Sequence, residues 1–233
     1  MKQIDKAGMT FDSSTRLVCD TSQLQFPAPV RKHDGDDVRL VLSMNPDSEG
    51  SSEPHFMLPD RHRNVVSVTM DCELEWIVKS AAEVMVPGDW HWYVWLFDKR
   101  VLTKTKEEGR FFEIDTVDGT VADHWPADMF VIDDVRHRLE DGVNSVDQLR
   151  GKTLLNVSHD FVYCFSEDGE QLWKLDLPGG NFWRLATSED RVRLGYLKGR
   201  GQRVDLAIDV ETGDVLEYIS GSRSIAGKIK RQN

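Results

Sequence analysis

The residues able to do chemistry are few and poorly grouped. Ser158, His159 and Asp160 supply the side-chain types of a hydrolytic triad. As neighbours along a strand they would point alternately to its two sides and could not converge. His33-Asp34-Gly35-Asp36-Asp37 offers carboxylates to a hard cation but lacks the ligand spacing of a calcium loop, so it reads as a solvated turn. Glu113, Asp123, Asp133 and Asp134 are candidates for a catalytic carboxylate pair whose spacing the sequence does not give. No phosphate-binding glycine loop, zinc-protease helix or nucleophile elbow occurs. Cys19, Cys72 and Cys164 are widely spaced and are expected to form neither a metal-type pair nor a disulfide framework. No catalytic residue, metal site or cofactor is assigned.

The aromatic run Trp90-His91-Trp92-Tyr93-Val94-Trp95-Leu96-Phe97 would serve as a platform for a sugar or base only if one face were exposed. Apolar on both sides, it is expected as a buried strand. Trp90 and Trp92 should face one side and His91, Tyr93 and Trp95 the other, with His91 a satisfied core histidine.

The elements that hold these residues follow from composition and repetition. A chain of 233 residues, 39% hydrophobic and 30% charged, can bury a sizeable core and is expected as one domain over 1-233. It has no apolar run long enough for a membrane helix, and Met1 to Arg16 carries no apolar leader segment, so no membrane role is expected. The odd cysteine count makes the cytoplasm the expected location, where the sequon Asn156-Val157-Ser158 would not be read. The net charge of -11 disfavours nucleic acid and favours encounter with a basic partner. The short run Lys228 to Arg231 reads as a solvated basic tail.

Internal repetition dominates the sequence. Ile114-Asp115-Thr116-Val117-Asp118-Gly119-Thr120-Val121 and Ile208-Asp209-Val210-Glu211-Thr212-Gly213-Asp214-Val215 share Ile-Asp-x-x-x-Gly-x-Val, 94 positions apart. Phe165 to Trp173 is a third copy, around Gly169. Val68 to Trp76 is a degenerate copy without the glycine, and Leu17 to Phe26 is weaker still. Each copy reads as strand, tight turn and strand, with glycine supplying the positive φ of the turn. The copies end on Trp76, Trp125, Trp173 and Tyr218. Further strands are expected before each hairpin at Val38 to Ser43, Trp90 to Phe97, Thr153 to Val157 and Arg191 to Leu197, with another at Phe182 to Ala186.

Ala207-Ile208-Asp209-Val210-Glu211-Thr212-Gly213-Asp214-Val215-Leu216-Glu217-Tyr218 resembles the repeat of quinoprotein-type (pyrroloquinoline-quinone-like) β-propellers. The resemblance covers the repeat unit. It implies blade geometry and inter-blade packing of the terminal aromatics, and the quinone cofactor is not carried over. The expected fold is all-β, a propeller-like array of about five (four and a half) four-stranded blades with repeat ends near 26, 77, 125, 175 and 219. Both termini would close the ring, the tail Ser224 to Ile229 adding an inner strand to the two-stranded first copy; an open arc or twisted sandwich is the alternative.

Function is expected where the repeats deviate. The connection Met44 to Arg63 is long, Asp98 to Gly109 is a second loop, and 126-151 is an insertion. Within it Ile132, Val135, Leu139, Val143 and Val146 step by threes and fours, which suits a short helix; a strand at Met129 to Ile132 followed by polar loop is the alternative. In blade geometry these segments share one face. His55, Phe56, Met57, Arg61, His62, Arg63, Arg136, His137 and Arg138 are the candidate partner-binding residues, mixing apolar anchors with guanidinium donors. The expected function is a non-catalytic intracellular protein-interaction module, in its most specific form an inhibitor or immunity-type protein for a basic partner. A small carboxylate- or metal-dependent hydrolase or lyase in a propeller funnel is the alternative, and a carbohydrate-binding module a second.

Overall fold

The computed structural model describes residues 9–79, 83–97, 100–158, 160–177, 180–188, 191–198, 202–220 and 223–225, all in strands, turns and loops. Two compact units are present, Met1–Pro126 and Ala127–Asn233.

The first unit holds three antiparallel sheets in which sequential strands are neighbours. The first sheet is β1 (Thr10–Ser13), β2 (Arg16–Val18) and β3 (Gln23–Gln25), one strand more than expected. The second is β4 (Val30–Gly35), β5 (Arg39–Met44), β6 (Val65–Thr69) and β7 (Leu74–Ile77). The third is β8 (His91–Phe97), β9 (Arg100–Thr105), β10 (Phe111–Asp115) and β11 (Val121–Trp125). β9 occupies much of the segment expected as a loop at Asp98 to Gly109, because the consecutive Val101, Leu102 and Thr103 are all buried in a strand that pairs with β8 on one side and β10 on the other.

Strand β5 is apolar on both faces because it lies between two sheets. Leu40, Leu42 and Met44 of β5 pack in one cluster with Leu17, Leu24 and Phe26, while Val41 packs with Val94, Val101 and Ile114 of the third sheet. Full burial of such a side chain is worth about 1.5–3 kcal/mol.

The second unit begins with a hairpin, β12 (Met129–Ile132) and β13 (Val135–Arg138). The helix expected in 126-151 is not there. Its three-and-four spacing arises because the two-residue turn Asp133-Asp134, both at positive φ, sets Ile132 opposite Val135. β14 (Val143–Leu149) then opens a four-stranded sheet with β15 (Lys152–Val157), β16 (Phe161–Phe165) and β17 (Gln171–Asp176). The last sheet has five strands: β18 (Gly180–Ser188), β19 (Arg191–Lys198), β20 (Gln202–Asp209), β21 (Val215–Ser220) and β22 (Arg223–Ile225). The tail residues Ser224 and Ile225 thus pair with β21 in the last sheet, not with the first. The rest of the tail, including Lys228 to Arg231, lies outside the described residues, as does His159. Leu154, Val162, Cys164 and Trp173 pack against Val192, Leu194, Leu206 and Ile208 between these two sheets.

The repeat motif has a clear physical basis. Gly119, Gly169 and Gly213 all have φ between 72° and 79°, as turns of this kind require. Asp209 Oδ1 accepts the amides of Glu211 and Thr212, and Asp115 Oδ1 accepts that of Val117. In the degenerate copy Cys72 takes the glycine's place at φ 64°. It is disulfide-bonded to Cys19, with the Cα atoms 6.0 Å apart, which corrects the expectation of no disulfide. The bridge joins the turn after β2 to the turn before β7, elements separated by 53 residues and brought together only by the packing of the first two sheets.

The hairpins β6–β7, β10–β11, β16–β17 and β20–β21 each have a bulge just after the turn, with Glu75, Ala122, Leu172 and Leu216 as the extra residues. The residues that follow are Trp76, Asp123, Trp173 and Glu217. Trp76 and Trp173 are therefore true counterparts, whereas Trp125 and Tyr218 sit at other register positions, although Trp125 is buried and Tyr218 partly so. Trp76 Nε1 donates to Thr116 O and Trp173 Nε1 to Val210 O, each at 2.9 Å. Gly169 has the carbonyl of Ile132 and the side chains of Val135 and His137 over it instead, so the inserted hairpin covers that turn.

Candidate functional site

A second set of bulges creates the most distinctive surface. The edge strands β4, β8, β14 and β18 each carry a register shift, with Arg31, Trp92, Asn144 and Trp183 as the extra residues. In β4 and β8 the extra residue leaves the alternation of the ladder and its side chain is re-aimed. The expected facing of the aromatic run is corrected for this reason. His91 lies on the side of Thr103 and Phe112, away from Tyr93 and Trp95, which stack on each other and towards Phe111.

In the first unit two of these bulge residues meet. The Arg31 guanidinium carbon lies 4.2 Å from the centroid of the half-buried Trp92 ring. The Trp92 carbonyl accepts Ser43 Oγ at 3.1 Å, so the bulge is also tied to the second sheet. Trp90, buried, lies 5.0 Å from Trp92 between centroids, and its Nε1 donates to Asp47 Oδ2 at 3.2 Å. Lys106 Nζ is 5.7 Å from the centroids of both indoles.

A buried polar frame holds this patch. Asp89 accepts the amides of Trp90, Lys106 and Glu107 at 2.8, 3.0 and 2.9 Å. Burial raises its pKa, but the amides of Glu107 and Trp90 and the Thr105 hydroxyl outweigh it, and the carboxyl stays below its ordinary value. Asn64 donates to the carbonyls of Met44 and His91, both at 2.7 Å, and accepts the His91 amide at 3.1 Å. His91 Nδ1 is 2.8 Å from Thr103 Oγ1, and burial pushes its pKa down to about 4.

The loop between β5 and β6 borders the patch and is pinned. Its Ser51 and His55 amides donate to the carbonyls of Phe26 and Gln25, and the Gln25 amide returns to His55 Nδ1. Phe56 is partly buried against Phe26 at 6.2 Å, edge to face, so it is a core contact and not the free anchor expected. Met57 is 70% exposed. Arg61 pairs with Asp47 at 2.8 Å and Arg63 with Asp60 at 3.0 Å, while His62 is partly buried beside them. Arg136, His137 and Arg138 belong to β13 of the second unit. His137 packs on Phe165 at 4.5 Å, burial lowers its pKa, and the exposed Arg138 is 3.7 Å from Asp128.

The candidate acids are differently employed. Glu113 faces Asp123 across β10 and β11 and is held by Arg100 at 3.1 Å, while Asp133 and Asp134 form a hairpin turn. Among the described residues no group of three or more His, Cys, Asp or Glu is arranged to hold a metal ion. Sequence reasoning missed Arg31, Asp47, Asp89 and Lys106 altogether. The one available signal was a basic pair, Arg31-Lys32, entering a strand of an acidic chain.

No protein-family model matches the chain, and no curated protein does. Several solved structures do. The β-propeller domain of Cps50 (Swd1) from Myceliophteria thermophila has a TM-score of 0.55 at 10% identity, over 92% of this chain and 70% of that one. BBS1N, in complex with ARL6DN, has 0.53 at 9%, over 93% and 65%. BamB from Moraxella catarrhalis has 0.51 at 11%, over 90% and 60%. The chain spans 60% of the length of BamB and 65% of that of BBS1N. Identity this low concerns architecture alone, and with the repeated antiparallel sheets it shows that this chain has the β-propeller repeat fold.

Proposed function

We propose that this chain is a protein-interaction module whose contact surface lies on the β5–β6 loop and the adjoining Arg31–Trp92 patch. The observation that carries this reading is a loop pinned at Ser51, His55 and Phe56 that nevertheless presents Met57 at 70% exposure and, four residues on, an exposed Arg61. A rigid loop with an exposed methionine and arginine suits binding, because little order must be gained on contact. Propeller repeats serve many functions, and among the similar structures BBS1N was solved in complex with ARL6DN. The net charge of -11 would steer a partner of positive net charge towards the module, while the patch sets the chemistry of the contact itself.

A photo-crosslinking side chain placed at Met57, and separately at the 82% exposed Val117, tests the reading in the source cell. A recurrent protein adduct from position 57 and not from 117 is expected. Equal adducts from both positions, or none from 57, would overturn it.

The cytoplasmic location expected from the odd cysteine count is replaced, in this reading, by an oxidising compartment, because the Cys19–Cys72 bridge persists only where thiols are not kept reduced. Trapping thiols with a mass tag in intact cells decides it. One reactive cysteine after denaturation supports the bridge; three would return the chain to the cytoplasm.

A further inference from the structure

Resting on the interaction-module reading, the patch specifies the chemistry of what it contacts. Arg31 and Trp92 are the bulge residues of β4 and β8 in neighbouring sheets, and the two bulges bring their side chains into a stack at 4.2 Å. In a chain with 40 acidic and 29 basic residues, a surface guanidinium would ordinarily have a carboxylate beside it. Arg31 is exposed, and among the described residues it makes no ion pair. The nearby carboxylates have other partners. Asp47 takes Arg61 and the Trp90 indole, and Asp89 takes backbone amides. Lys106 does have a carboxylate, Glu107 at 3.2 Å, but the pair is exposed and such pairs hold weakly.

Stacking on an indole fixes the plane of a guanidinium while leaving its edge N–H donors available, the arrangement that matches a carboxylate. Lys106 stands over the same indole, on a loop that the Asp89 carboxylate holds in place. We propose that Arg31, Trp92 and Lys106 form a receptor for an acidic segment of a protein partner. The Arg31 fork and Lys106 take the carboxylates, and an apolar side chain of the segment lies on Trp92. A long polyanion such as nucleic acid fits less well, since it would meet the repulsion of the whole chain, whereas a short segment within a screening length meets mainly the patch.

The test uses the full chain and a fluorescent short peptide of Glu and Asp with one central Phe, followed by anisotropy in about 0.1 M salt. Saturable binding is expected, weakened at least about tenfold by Arg31→Glu, Lys106→Glu and Trp92→Ala. Arg31→Lys should recover only part of the loss, because the fork is missing. Lys79→Ala, which removes an exposed lysine paired with Asp118, should leave binding unchanged. Circular dichroism and melting of each variant show that the fold persists. No saturable binding, binding indifferent to Arg31→Glu, or tighter binding of a Lys/Arg peptide or a single-stranded oligonucleotide would each overturn the proposal. If the Met57 adduct still forms while the acidic peptide does not bind, the interaction module stands and this receptor falls.

Discussion

Trp173 lies under Gly213: its Nε1 donates to the Val210 carbonyl at 2.9 Å, and a Cβ on Gly213 would fall 2.7 Å from the indole Cγ. Trp76 and Gly119 make the same contact in the first unit, with a Cβ at 2.9 Å from the ring. Glycine is required there twice over, by a φ near +72° and by the ring above it. Gly213→Ala should destabilise by about 2–3 kcal/mol, and Trp173→Ala by about 3–5 kcal/mol. The double variant should cost less than the sum, because removing the indole relieves the clash. Additive losses in denaturant melts would show that the two residues do not act as one joint.

The Cys19–Cys72 bridge closes a loop of 53 residues, and reduction should remove about 4 kcal/mol of stability on the chain-entropy account. Cys72 also sits at φ 64°, where glycine is favoured. Under reducing conditions Cys72→Gly should therefore be more stable than Cys72→Ser by about 1 kcal/mol. Equal midpoints for the two variants in urea would contradict this account of the turn.

His91 gives the fold a pH dependence of defined sign. Burial lowers its pKa from 6.5 to about 4, so below pH 6.5 the unfolded chain binds the proton that the folded chain refuses. Stability is fully present above pH 6.5 and is lost as pH falls towards 4, by at most about 3 kcal/mol. His137, lowered by burial, acts in the same direction. Melting temperatures of the native chain and His91→Gln between neutral pH and pH 4 check this. The variant should start lower and fall less steeply.

Phe56 and Met57 are adjacent but should behave differently. Phe56→Ala removes an edge-to-face contact with Phe26 and should cost about 2–4 kcal/mol. Met57→Ala, at a side chain 70% exposed, should leave the melting temperature within experimental scatter and act only on partner capture.

Much of the architecture was determined by the sequence alone. The Ile-Asp-x-x-x-Gly-x-Val copies locate the turns at Gly119 and Gly213, because positive φ and a capping aspartate are local demands that a few adjacent residues satisfy by themselves. The doubly apolar runs located the central strands for the same local reason. The tertiary structure decided the rest. A bulge adds one residue and reverses all later facing, so with Trp92 as the extra residue the sides of Tyr93 and Trp95 cannot be counted from His91. The spacing of Ile132, Val135 and Leu139 fits a helix and a hairpin equally, until the neighbouring Gly169 turn is covered by Val135. Cys19 and Cys72 become partners only when two sheets pack, and Arg31 meets Trp92 only because two bulges in neighbouring sheets align. These contacts join residues dozens of positions apart, and local preference carries no information over such a distance.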